Sequence, residues 1–84
     1  MYEKIEKVIN NWDPLELFPF APKDEYENEI NKILGVLKKD PTNVDLGKAI
    51  EKIFLDSFGK GIINENEEKY LLVSNEILKE VNKA

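Results

Sequence analysis

The recurrence of apolar residues every three or four positions is the feature that most constrains this chain. On a helical wheel of about 100° per residue, four segments each place their apolar side chains on one face and their charged side chains on the other. No segment shows the period of two that a half-buried strand requires. The pattern therefore predicts an all-α bundle of four amphipathic helices. The predicted apolar faces are Tyr2, Ile5, Val8, Ile9 and Trp12; Tyr26, Ile30, Ile33, Leu34 and Leu37; Leu46, Ala49, Ile50, Ile53, Phe54 and Phe58; and Tyr70, Leu71, Val73, Ile77, Leu78 and Val81.

Capping residues indicate where the third and fourth helices begin and end. Thr42 is the expected N-cap of the third helix, because a hydroxyl can accept a hydrogen bond from a first-turn amide. Gly59 and Gly61 are the expected stop residues of that helix, since glycine adopts the backbone conformations that terminate helices. We expect either Asn64 or Asn66 to cap the last helix.

The segment that follows the first helix contains the sequence Asp13-Pro14-Leu15-Glu16, which predicts one short helical turn. Asp13 can act as a cap, Pro14 suits the first helical position, and Glu16 stands at the capping-box position. Asp24 and Glu27 repeat the same spacing, so we expect a second capping box at the start of the second long helix.

Phe18 and Phe20 flank Pro19 in a stretch that we expect to be extended, because proline disfavours helical geometry in the residue before it. Two interpretations remain open for this pair. The rings can fold back as a lid over a small core, which we favour, or they can anchor a protein partner.

Composition excludes several classes of function. The 84 residues suffice for one domain, residues 1–84, and carry a net charge of −5 with no cysteine, histidine or arginine. Disulfides, thiolate metal sites, imidazole bases and arginine clamps are therefore excluded, and the negative charge argues against nucleic acid as a partner. We expect no cofactor and no metal. Since no apolar run suits a signal segment or a membrane span, we expect a cytoplasmic protein without a membrane partner.

The remaining candidates for chemistry have structural explanations. The acidic cluster Asp24, Glu25, Glu27 and Glu29 lies where a helix dipole favours negative charge. Ser74, like Ser57, lies on an apolar helix face, where we expect its hydroxyl to bond to the preceding turn. The sequence therefore predicts that the protein is not an enzyme.

Three apolar residues, Val36, Leu55 and Leu72, lie outside the predicted apolar faces. Isolated exposed apolar residues are common, so these need no special explanation. One such residue on each of three helices is also compatible with a homodimer.

The motif Trp12-Asp13-Pro14-Leu15, followed by Ala21-Pro22-Lys23-Asp24-Glu25-Tyr26, resembles the YugE-like family of small helical bacterial proteins of unknown function. That family's pattern is similar to W-D-P-[IL]-G and then A-P-x-D-E-Y, so Glu16 stands where the resemblance implies glycine. Glycine there would permit close backbone approach, whereas glutamate suits a capping box, so Glu16 argues against a ligand that reaches this turn. Similar Trp-Asp-Pro openings occur in proteins that look like immunity partners of bacterial toxins, which would imply an acidic surface that binds a basic toxin.

These observations favour a non-catalytic protein–protein interaction module whose unknown partner we expect to be basic. One alternative is a toxin-immunity-like binding partner. Another is a regulator that binds a small ligand in a pocket under the Phe18/Phe20 linker. The candidate binding residues are Trp12, Asp13, Phe18, Phe20, Asp24, Glu25 and Tyr26.

Overall fold

The computed structural model describes residues 1–59, 61–63 and 65–82, which form four helices and no strand. The helices are α1 (Tyr2–Trp12), α2 (Glu27–Leu37), α3 (Asn43–Phe58) and α4 (Glu67–Val81). The prediction of an all-α fold with four helices is confirmed. None of these helices combines the length and the apolar character needed to cross a bilayer.

The four helices enclose one hydrophobic core. α4 packs against α3 and α1, and α2 packs against the other sides of the same two helices, so the arrangement is a closed ring. The predicted apolar faces supply most of the core, because burial of these side chains is what stabilises short helices in water. The buried apolar residues are Ile5, Val8, Ile9, Tyr26, Ile30, Ile33, Leu46, Ile50, Ile53, Phe54, Ile63, Tyr70, Val73 and Ile77.

The predicted ends of α3 and α4 are confirmed. The Thr42 hydroxyl accepts a hydrogen bond from the Asp45 amide at 3.1 Å, and the Asn66 side chain accepts one from the Lys69 amide at 3.0 Å. Asn66 is thus the cap of α4, whereas the alternative, Asn64, lies outside the described residues. Gly59 ends α3 with a φ of 83°, a conformation that side chains rarely adopt.

The predicted capping box at Asp24 and Glu27 is wrong. α2 begins at Glu27, and its N-cap residue is Tyr26, which makes no side-chain capping bond. The Glu27 amide instead donates to the backbone oxygen of Asp24 at 3.1 Å, while the Asp24 side chain is exposed. The start of α2 is therefore set by the burial of Tyr26.

The hydroxyl of Ser74 also differs from the prediction. It does not bond to the preceding turn of α4; it lies 2.9 Å from the backbone oxygen of Asn43 and 2.7 Å from that residue's side-chain oxygen. Because Ser74 is fully buried, this contact ties the middle of α4 to the first turn of α3.

Of the three apolar residues outside the predicted faces, two pack partly against neighbouring parts of the fold. Val36 and Leu55 are half-buried, whereas Leu72 on α4 is 60% exposed. Of these three residues, Leu72 therefore leaves the most apolar surface open to a homodimer contact.

Candidate functional site

Asp13 organises the segment between α1 and α2. Its backbone adopts a φ of 45°, and its amide donates to the Ile9 oxygen at 2.8 Å, which ends α1. Its carboxylate then accepts the amides of Leu17 at 2.9 Å and Phe18 at 3.0 Å. A charged acceptor that binds two amides holds the backbone more firmly than neutral partners do.

The predicted short turn is present, since the Glu16 amide donates to the Asp13 oxygen at 2.9 Å. The predicted capping box is wrong, because the Asp13 amide already donates to Ile9 and so has no proton left for the Glu16 side chain. Glu16 itself has a φ of 55°, in the region that favours glycine. A glycine at this position, which the resemblance implies, would adopt this backbone conformation without the steric cost that glutamate incurs.

Tyr26 completes the hydrogen bonds around Asp13. The fully buried hydroxyl donates to the Asp13 carboxylate at 2.7 Å and accepts from the Leu15 amide at 3.1 Å. The two residues are 13 positions apart, and only the packing of α1 against α2 brings them together.

The pKa values of this pair shift in opposite directions. Burial alone raises the pKa of Asp13, but the Phe18 and Leu17 amides and the Tyr26 hydroxyl outweigh it and hold that pKa below its ordinary value. Burial raises the pKa of Tyr26; the Leu15 amide opposes this effect, and the bond to anionic Asp13 adds to it. At neutral pH the pair is thus a fixed donor and acceptor, suited to holding a loop and not to transferring protons.

An aromatic cluster lies beneath this loop. Phe18, which is half-buried, contacts the Tyr26 ring edge-on at a centroid distance of 6.0 Å. Tyr26 in turn contacts Phe54 at 6.1 Å and Phe58 at 6.4 Å, and Trp12 contacts Phe54 at 5.0 Å. Such tilted and edge-on pairs stabilise a core beyond the area that they bury. Phe18 therefore acts as the lid that the sequence suggested.

Phe20 has the opposite environment, because its side chain is 96% exposed. The predicted extended linker is wrong: residues 18–20 form a turn in which the Ala21 amide donates to the Leu17 oxygen at 3.0 Å. The turn forms because the Asp13 carboxylate draws the Leu17 and Phe18 amides inward. Phe18 and Phe20 thus separate into a lid and an exposed ring, so the favoured lid interpretation is wrong for Phe20.

Of the acidic cluster Asp24, Glu25, Glu27 and Glu29, the first three are exposed, whereas Glu29 is buried, at 5% exposure. Glu16 is exposed as well, and the Lys23 backbone oxygen accepts a hydrogen bond from the Asn10 side chain at 3.0 Å. Within the described part of the chain, no group of three or more acidic residues is arranged to hold a metal ion.

We call the turn formed by residues 17–21, together with exposed Glu16, Asp24 and Glu25, the Phe20 surface. It includes four of the candidate residues, Phe18, Phe20, Asp24 and Glu25; Asp13 holds its backbone and Tyr26 bonds to Asp13, whereas Trp12 packs on Phe54 and Tyr70. Sequence reasoning missed the bond from Asn10 to Lys23, because a half-buried asparagine on a helix carries no signal for so distant a partner.

Comparison with known proteins identifies a family. The model of a family described as a domain of unknown function, DUF1871, matches residues 4–79, which is nearly the whole chain. Neither a curated protein nor a solved structure matches.

Proposed function

We propose that this chain, which belongs to the DUF1871 family, is a non-catalytic protein-binding module whose Phe20 side chain enters an apolar pocket on a basic partner. The observation that carries the proposal is the 96% exposure of Phe20 on a turn whose base is fixed by the Asp13 carboxylate. Large aromatic side chains are frequent among the residues that dominate binding energy.

The backbone beneath Phe20 supports this role. Ordering a flexible loop on binding costs free energy, so a turn that is already held by hydrogen bonds reduces that cost. The Leu17 and Phe18 amides bind Asp13, and the Ala21 amide closes the turn. Phe20 is therefore displayed on a largely preorganised backbone.

Charge indicates the chemistry of the partner. Three exposed carboxylates, those of Glu16, Asp24 and Glu25, belong to the Phe20 surface, and the whole chain carries a net charge of −5. Complementary charge accelerates encounter and disfavours partners of like charge. We therefore propose a partner pocket that is apolar at its centre and lined by basic residues at its rim.

Co-purification from the native cell at low salt tests the proposal. The wild-type protein and two variants, Phe20→Ser and Leu72→Ser, would be compared; both variants remove an exposed apolar side chain. We expect a stoichiometric basic protein with the wild type and with Leu72→Ser, and its loss with Phe20→Ser. Equal recovery with all three proteins, or a clean monomer with nothing attached, would contradict the proposal.

The absence of catalysis and the cytoplasmic location are parts of the same proposal. Asp13 and Tyr26 are held in fixed protonation states by mutual bonding, and the exposed acids near Phe20 are dispersed. A chain without cysteine suits a reducing interior.

We also propose that the YugE-like family is the part of DUF1871 to which this chain belongs, because its motif lies within the matched residues.

A toxin-immunity role is a narrower form of this proposal, in which the basic partner is a toxin. A toxin-like reading frame beside the gene would favour it. The small-ligand alternative, with its pocket under the Phe18/Phe20 linker, has less support, because Phe18 rests on the Tyr26 ring and the best-formed cavities of the described residues are not lined by Phe18 or Phe20.

A further inference from the structure

Leu72 is an exposed apolar residue on the outer face of α4. Its side chain is 60% exposed, whereas its neighbours in the helix, Leu71 and Val73, are half-buried and buried. It borders an open groove of about 340 Å³ between α1 and α4. Phe20 does not line this groove, so a contact made there is independent of the function proposed above.

The groove has the form of a hole between helices. Val8 of α1 and Val73 of α4 line it, and both are almost completely buried, so its deeper part is apolar. Four residues form its wall on α4, namely Lys69, Leu72, Val73 and Glu76. They are positions i, i+3, i+4 and i+7 of one helix, which are the positions that receive a side chain from a facing helix in knobs-into-holes packing. The groove therefore fits an apolar side chain that another helix presents.

The charges beside Leu72 indicate which helix that is. Lys69 lies about one turn before Leu72 and Glu76 about one turn after it, on the same stripe of α4. Neither charged side chain forms an ion pair with another described residue. If a second copy of α4 is laid antiparallel on this stripe, Lys69 of each copy faces Glu76 of the other. The stripe is therefore complementary to itself in that orientation.

We propose that two copies of this chain form a two-fold symmetric dimer through antiparallel α4 helices, with the Leu72 side chain of each copy in the groove of the other. A two-fold interface uses the same surface of both copies, and the order of charges about Leu72 meets that condition. The contact is small, and the net charge of −5 repels the copies at long range. We therefore expect reversible association at high protein concentration and not an obligate dimer.

Sedimentation equilibrium of the full chain, over a dilution series that reaches millimolar concentration, tests the contact. We expect the average mass of the wild type to rise from that of one chain towards that of two, and Leu72→Ser to raise the dissociation constant at least about tenfold. Phe20→Ser, which removes an exposed apolar side chain outside the groove, should associate like the wild type. A wild type that keeps the mass of one chain throughout would overturn the proposal and leave the groove to a different protein. Equal association of the wild type and Leu72→Ser would overturn it too.

Charge reversal tests the antiparallel orientation. Lys69→Glu brings carboxylates together across the two-fold axis, and Glu76→Lys brings ammonium groups together, so each variant alone should associate about tenfold more weakly than the wild type. An equal mixture of the two variants should associate about as well as the wild type, because each copy then faces the opposite charge on the other. Both positions tolerate the change: Glu76 is exposed, and Lys69 lies in the first turn of α4, where the helix dipole favours an acidic residue.

The same variants separate local pairing from the effect of net charge. Glu76→Lys makes the chain less negative, so long-range repulsion alone would strengthen its self-association. Weaker association of Glu76→Lys, with recovery in the mixture, would therefore identify the pairing of Lys69 with Glu76. A mixture that associates no better than either variant alone would refute the antiparallel dimer.

Discussion

At the scale of single residues, the carboxylate of Asp13 has more structural consequences than any other acidic group described. It holds two amides and a buried hydroxyl, whereas Asp24, which the same sequence rule singled out, is exposed and does not cap α2. The N-capping rule does not distinguish Asp13 from Asp24, because it considers only hydrogen bonds from amides two or three residues ahead of the carboxylate. The partners of Asp13 lie four, five and 13 positions away.

Asp13→Asn should lower the free energy of unfolding by about 2–3 kcal/mol, because the new amide nitrogen cannot accept a hydrogen bond from a backbone N–H. Asparagine tolerates the left-handed φ at this position, so backbone strain does not contribute to the loss. Asp24→Asn, the matched control, should change stability by less than about 0.5 kcal/mol. Urea denaturation of the three proteins measures these differences.

The effect of Asp13 should also depend on pH. Its pKa is lower in the folded chain than in the unfolded chain, so the stabilisation is fully present above the unfolded pKa, near pH ~4, and is lost as pH falls through the folded pKa. The stability difference between wild type and Asp13→Asn should therefore shrink below about pH 4. If the difference in the free energy of unfolding between wild type and Asp13→Asn stayed constant under strongly acidic conditions, it would contradict this explanation.

Glu16→Gly should raise stability by about 0.5–1 kcal/mol. Glutamate incurs a steric cost at a φ of 55°, and removal of that cost outweighs the greater backbone entropy that glycine brings to the unfolded chain. Glu16→Ala keeps the steric cost and should give no gain. A thermal unfolding midpoint that is lower for the Glu16→Gly variant than for the Glu16→Ala variant would show that the φ of Glu16 imposes no steric cost.

Two buried tyrosines should respond oppositely to loss of the hydroxyl. Tyr26→Phe leaves the Leu15 amide without its partner and removes one of the two hydrogen bonds to Asp13 Oδ1, which keeps the bond from the Leu17 amide, so the change should cost about 2–3 kcal/mol. Tyr70→Phe removes a hydroxyl that has no partner among the described residues, and should be neutral or stabilising by up to about 1 kcal/mol. Chemical denaturation measures both changes, and equal losses would mean that the hydroxyl of Tyr70 is bonded in the native protein.

At the scale of helices, the sequence predicts the features that depend on residues close together in the chain. The apolar period located all four helices, and the caps at Thr42 and Asn66 follow from bonds within one helical turn. The link from Ser74 to Asn43 was not predictable, because it depends on how α4 lies against α3. The same limit applies to the Phe20 surface: the sequence identified both rings, but the Asp13 bonds that separate them depend on the turn geometry.

Gly35 and Gly59 should respond differently to alanine. Gly35 lies within α2, is exposed, and has no atom within 4 Å of the position that a Cβ would take. Gly35→Ala should therefore stabilise the protein by about 1 kcal/mol. Gly59→Ala should destabilise it by about 1–3 kcal/mol, because the φ of 83° and ψ of 158° at the end of α3 suit glycine alone. Thermal unfolding followed by circular dichroism compares the two.

At the scale of the whole molecule, the net charge and the Phe20 surface should control different stages of binding. The charge of −5 acts over the Debye length, which shortens from about 30 Å to about 8 Å as ionic strength rises from about 0.01 M to about 0.15 M. The Phe20 ring, by contrast, contributes only after the two surfaces have met and the partner has buried it. For a partner recovered through Phe20, we therefore expect added salt to slow association and Phe20→Ser to accelerate dissociation.

Surface-immobilised kinetics with the purified partner measures both rates. Leu72→Ser, which removes an apolar side chain that is 60% exposed on α4, should leave both rates unchanged. If Leu72→Ser accelerated dissociation as much as Phe20→Ser does, the contact would extend over α4, and the preorganised turn would no longer explain the affinity. If salt changed only dissociation, the partner would not be recognised by long-range charge, since steering acts before the surfaces meet.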